Sequence, residues 1–244
     1  MNIFEEQRVS SRVDFSLPEK LDCHFAGRRK TAFTLAEVLI TLGIIGVVAA
    51  LTMPILIENH QKRVVETRLQ KFYSVFNSAL RASVAENGDM SNWTFPADYY
   101  DWEGADVFFE TYLKKYLVYK KTKRNVHTIW PTYGTEIYLN DGSAFVVSGG
   151  PWITYYPVAK KTKHAGVEVF VFAMDPSKNT MLPLSLRAIQ NYGQHIDWVD
   201  AVEYSCNPES RNTFNRVCAT YIMLNSWKIP DNYPFNGLKN NNKY

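Results

Sequence analysis

The sequence contains no HExxH, P-loop, GxSxG or paired CxxC motif, so the common frameworks for metal hydrolysis, phosphate transfer, serine nucleophiles and dithiol exchange are missing. His60, His127, His164 and His195 are scattered without ligand spacing, and each reads as a surface or locally bonded imidazole. Asp197, Asp200 and Glu203 cluster around Trp198, and Asp175 stands apart; neither spacing matches a calcium loop. No catalytic constellation emerges, and no cofactor is expected. A net charge of +3 over 244 residues is too small to point to a polyanionic partner. The short basic run Lys120, Lys121, Lys123, Arg124 reads as a solvated face or loop, so nucleic acid is not an expected partner. Charged residues make up 21% of the chain and hydrophobic residues 46%, which argues against disorder and for a packed core.

What the chain does have is one long apolar run. From Phe33 to Ile57 it reads FTLAEVLITLGIIGVVAALTMPILI, in which Glu37 is the sole ionisable side chain. As a helix, 25 residues reach roughly 37 Å, enough to cross the apolar part of a bilayer. Arg28, Arg29 and Lys30 precede the run and favour a cytoplasmic N-terminus; Lys62 and Arg63 beyond the far end weaken that bias. A carboxylate inside a spanning helix costs about 2–3 kcal/mol or more and ordinarily has a partner. No Lys, Arg or His lies one helical turn from Glu37 within the run. A cut just before Phe33 would create an α-amino group near it, on the same chain or on a neighbouring one.

Basic residues, a small residue and then FTLAEVLITLGIIGVVAALTMP resemble the signal of type IV pilins and type II secretion pseudopilins. The resemblance covers about 25 residues. It implies cleavage by a prepilin peptidase between Ala32 and Phe33 and N-methylation of the Phe33 amine. Glu37 then occupies the fifth mature position, where the family carries its assembly Glu. Gly46 and Pro54 fall where many members loosen the helix. Two departures stand out: Ala32 replaces the usual Gly, and the stretch Met1–Ala32 is longer than many leaders. The implied partners are the peptidase, like subunits and other pilins or pseudopilins, and an inner-membrane assembly platform. Cys23 lies upstream of that cut. Cys206 and Cys218 remain, a pattern that fits one disulfide in an oxidising compartment, with two separate buried thiols as the alternative.

Simpler signals fit less well. A plain anchor leaves Glu37 unexplained. A secretory signal peptide would have a shorter apolar core, and Val48-Ala49-Ala50 is followed by more apolar residues. A lipoprotein signal would need a cysteine after the run. Pro54 removes one backbone hydrogen bond and crowds the Ala50 carbonyl, which predicts a bend or loosening. Gly43 and Gly46 lower helix propensity while permitting close helix approach.

Beyond the run, Leu69, Phe72, Phe76, Leu80 and Val84 recur at spacings of three and four and predict an amphipathic continuation over 58–86. Asn87-Gly88-Asp89 supplies a stop. Asp106–Tyr119 has helical spacing. Thr135–Leu139 and Ser143–Val147 flank an Asn-Asp-Gly turn, and Gly166–Ala173 reads as a third strand. Between them a loop carries Trp152, Tyr155 and Tyr156, and Pro183–Gln190 suits a short helix. The Cys206–Cys218 loop followed by CATYIMLNSWKIPDNYPF resembles the tails of some pseudopilin-like proteins, and residues 236–244 read as a frayed end.

The expected fold is α+β: a long N-terminal helix on a small antiparallel sheet with a loop-rich C-terminal region. The expected organisation is a removed leader (1–32), a membrane or filament-core helix (33–57), its amphipathic continuation (58–86) and an extracytoplasmic globular domain (87–244). The expected location is the bacterial inner membrane, then a filament in the periplasm or at the cell surface. The competing expectation is a single-span anchored protein that does not assemble and binds a ligand or surface through Trp152, Tyr155 and Tyr156.

Overall fold

The computed structural model describes residues 34–128, 132–159, 168–187, 196–206 and 217–234. Helix α1 runs over Leu35–Asn87 without interruption. By its internal contacts the chain divides at Val47/Val48, inside this helix, and the fold described here is that of the second unit. Gly88 ends the helix in a left-handed conformation (φ +80°), with its N–H on the Val84 carbonyl.

Six strands follow: β1 (Lys121–His127), β2 (Tyr133–Tyr138), β3 (Ala144–Ser148), β4 (Trp152–Tyr156), β5 (Phe170–Asp175) and β6 (Thr180–Pro183). They form one antiparallel meander in sequence order, which short turns suffice to build. The architecture is therefore the expected α+β one, a long helix packed on an antiparallel sheet, though the sheet has twice the three strands the sequence pattern predicts. At the β2–β3 turn, Asp141 accepts from the Ser143 N–H and hydroxyl while Gly142 takes φ +82°.

The apolar stripe of α1 lies across β3, β4 and β5. Phe72 stacks on Tyr155 at 4.1 Å and meets Phe145 at 5.5 Å and Phe172 at 5.6 Å. Phe76 meets Phe145 edge-on. Ile137, Val147, Ile153, Phe170, Met174 and Met181 complete this face of the core. The other face is also buried, through Val146, Tyr156, Val169, Val171 and Ala173. A sheet buried on both sides loses the polar–apolar alternation that marks a strand in sequence.

That loss explains the first correction. Trp152–Tyr156 is a central strand and not an aromatic loop: Tyr155 and Tyr156 are buried, and Trp152 is half-buried. The exposed aromatic binding face of the non-assembling alternative is thereby removed. The basic run is edge strand β1, with Arg124 paired to Asp106 at 2.8 Å, and its lysines and a bulge between Lys123 and Val126 protect a free edge. The 106–119 helix begins earlier and ends sooner: α2 covers Trp102–Phe108 and passes into a π-helical turn, Phe109–Leu113, and a 3₁₀ turn, Lys114–Tyr116. Val107 is exposed, and the buried face is Ala105, Phe108, Phe109 and Leu113. Pro183 closes β6, helical backbone covers 184–187, and 188–190 lie outside the described residues.

The outer edge of β6 is closed by one side chain of α1. Asn77, 5% exposed, donates to the Met181 carbonyl (3.1 Å) and accepts from the Met181 N–H (2.7 Å) and the Thr180 hydroxyl (2.8 Å). Asn77→Leu strands buried backbone groups at a cost of about 1–3 kcal/mol each. The expected result is a lower denaturant midpoint with an unchanged slope; an unchanged midpoint refutes the role given to Asn77.

Helices α3 (Trp198–Cys206) and α4 (Cys218–Leu224) close the C-terminal region. Cys206 and Cys218 are bonded to each other and fully buried beside Val202, Ala219 and Ile222. Chain entropy for a loop with a sequence separation of 12 predicts a contribution of roughly 3 kcal/mol. Reduction, or Cys206→Ser with Cys218→Ser, should lower the thermal midpoint accordingly under otherwise equal conditions.

Candidate functional site

The N-terminal end of α1 is the candidate site. Thr34 precedes the first helical residue and Glu37 sits three positions on, which is the spacing of a capping box. The bonds are reciprocal. The Thr34 N–H and hydroxyl donate to Glu37 Oε2 at 2.8 and 2.9 Å, and the Glu37 N–H donates to the Thr34 hydroxyl at 3.2 Å. A helix N-terminus favours a carboxylate through its unpaired N–H groups. Glu37 thus has a neutral partner within its own chain, where its charge alone leads one to expect a cation. The signal was present as T-x-x-E ahead of an apolar run.

The remaining polar side chains of 34–57 are internally satisfied as well. The Thr41 hydroxyl donates to the Val38 carbonyl at 3.0 Å and the Thr52 hydroxyl to the Val48 carbonyl at 2.9 Å. Every large side chain from Leu35 to Ile57 is exposed, around the full circumference of the helix. A helix apolar all round is stable in lipid or among other helices and not in water. By length and composition α1 is the one described helix able to cross a membrane.

Gly43 and Gly46 have open space where a Cβ would stand, so nothing among the described residues requires their smallness. At Pro54 the helix continues unbroken. Ala32 and Phe33, the expected cleavage and methylation positions, lie outside the described residues, as does Cys23. Among the described residues no three His, Cys, Asp or Glu side chains converge as a metal site would require, and His164 and His195 are not described.

The N-terminal segment carries a prepilin-type signal on a helix long and apolar enough to cross a membrane. A profile of the prokaryotic N-terminal methylation motif matches residues 27–53, the region that carries the basic cluster, Ala32, Phe33 and Glu37. The chain belongs to a family of unknown function, DUF6613, whose profile matches residues 55–236. Neither the curated proteins nor the solved structures contain a match. The apolar helix and the methylation motif fit membrane anchoring with an extracellular domain.

Proposed function

We propose that the protein is a pilin-like or pseudopilin subunit of a type IV pilus or type II secretion filament. A prepilin peptidase cuts between Ala32 and Phe33, the new amine is N-methylated, and the inner-membrane platform moves the subunit into a filament. The observation that carries the reading is the coincidence of three features on one segment. The methylation motif, a wholly uncovered apolar helix and a carboxylate held at its N-terminal end all fall within residues 27–57. The Thr34–Glu37 cap holds the carboxylate at the N-terminal end of α1. There a freed amine, on the same chain or a neighbour, supplies the positive charge that neutral donors lack. Residues 33–57 are the membrane store before assembly and the filament core afterwards, and Gly43, Gly46 and Pro54 serve contacts made only there.

The test is mass spectrometry of the N-terminus in cells with and without a prepilin peptidase. The expected result is N-methyl-Phe33, with residues 1–32 retained when the peptidase is deleted. An intact Met1 in both strains, or a cut near Ala50, overturns the reading.

A further inference from the structure

Just past the apolar run, α1 turns one polar face into the wall of a groove of about 500 Å³. Asn59, Lys62, Arg63, Glu66 and Thr67 recur at helical spacing along it, and Lys228 reaches the same groove from the C-terminal segment. Two consecutive non-glycine residues in the left-handed region, Ser226 (φ +57°) and Trp227 (φ +63°), bring that segment back onto α1. Such a conformation is costly and persists only when the surroundings hold it. The surroundings here are the Trp227 ring against Tyr73 at 5.0 Å, and buried Glu66, which accepts from the Ile229 N–H at 2.8 Å and Lys228 Nζ at 3.1 Å.

The charges of the groove do not balance. Lys228 is matched by Glu66 and Lys62 by Glu58 at 3.3 Å, but Arg63 has no carboxylate within ion-pair distance among the described residues. Three cations and one carboxylate line the groove itself. Arg63 stands six residues beyond Ile57, roughly 9 Å along the helix, at the depth of the lipid headgroups. Basic residues at the outer end of a span run against the usual charge asymmetry, so these two need a local reason. An anionic headgroup supplies one. Its phosphate accepts from the Arg63 guanidinium, and Lys62 and Lys228 flank it.

We propose that this groove binds the headgroup of an anionic phospholipid while the subunit is stored in the membrane. The proposal rests on the membrane placement of α1, not on cleavage or filament assembly. A plain anchored protein would bind the same lipid.

The test uses the full chain in nanodiscs of phosphatidylcholine with a tenth of the lipid as phosphatidylglycerol. The readout is phosphatidylglycerol retained per chain by native mass spectrometry. Wild type is expected to retain the anionic lipid at least about fivefold more than Lys62→Gln/Arg63→Gln, with Lys228→Gln in between. Lys120→Gln/Lys121→Gln/Lys123→Gln, at the start of β1 and just before it, should match wild type. Equal retention in all four proteins overturns the proposal. So does an equal loss in the β1 variant, which would mark a general charge effect, and so does full displacement by 10 mM inorganic phosphate, which would mark a site for the free ion. If retention fails while the mature chain begins at N-methyl-Phe33, the groove proposal alone falls.

Discussion

Glu37→Ala should insert into the membrane at wild-type level and reach filaments at about a tenth of the wild-type amount or less. A buried carboxylate carries a cost of about 2–3 kcal/mol that pairing offsets, and that range corresponds to roughly 30- to 150-fold in an equilibrium constant. Alanine removes both the cost and the pairing, so insertion is spared and assembly is not. Glu37→Gln separates the two jobs of this side chain. The amide oxygen still accepts from the Thr34 N–H and hydroxyl, so the cap survives. Only the charge is lost. If Glu37→Gln assembles as wild type does, the carboxylate is a cap and nothing more. If both variants fail while membrane fractions stay full, the charge acts between subunits. Immunoblots of membrane and sheared-filament fractions distinguish these outcomes.

Phe72→Ala should be the most damaging single change in the packed core of α1 and the sheet. Phe72 is 4% exposed and touches four aromatic rings: Phe76, Phe145, Tyr155 and Phe172. Truncation of a buried Phe costs about 3–5 kcal/mol, and aromatic pairs add about 0.5–1.5 kcal/mol beyond their area. Domains of this size carry about 5–15 kcal/mol in total, so the loss approaches the whole. The thermal midpoint should fall by roughly 6–20 °C, read by near-ultraviolet circular dichroism on the full chain. Phe72→Leu should recover most of it. A fall equivalent to less than about 1 kcal/mol would mean that the outer half of α1 is not part of the core.

These two residues also mark how far the sequence could be read. Glu37 was conspicuous because a lone charge in an apolar run needs no tertiary information to be noticed. Its partner Thr34 is equally local, but a neutral hydroxyl does not stand out beside a carboxylate as an opposite charge does. Phe72 was placed on a buried stripe by its spacing to Leu69, Phe76 and Leu80, since helical periodicity survives whatever the helix packs against. The β2–β3 hairpin was legible for the same reason: its Asn-Asp-Gly turn dictates geometry over a few residues.

The chain itself thus determined the long helix, its apolar first half and amphipathic second half, the methylation motif and the α+β class. Tertiary structure alone decided the rest. Strand β4 was hidden because both of its faces are buried, which erases the alternation a strand otherwise shows. Strand β1 was hidden because an exposed edge looks like any solvated basic stretch. Asn77 closing β6, and Glu66 receiving Lys228 and Ile229, join residues more than a hundred positions apart. No local pattern encodes such pairs; the packing of the whole sheet on α1 brings them together.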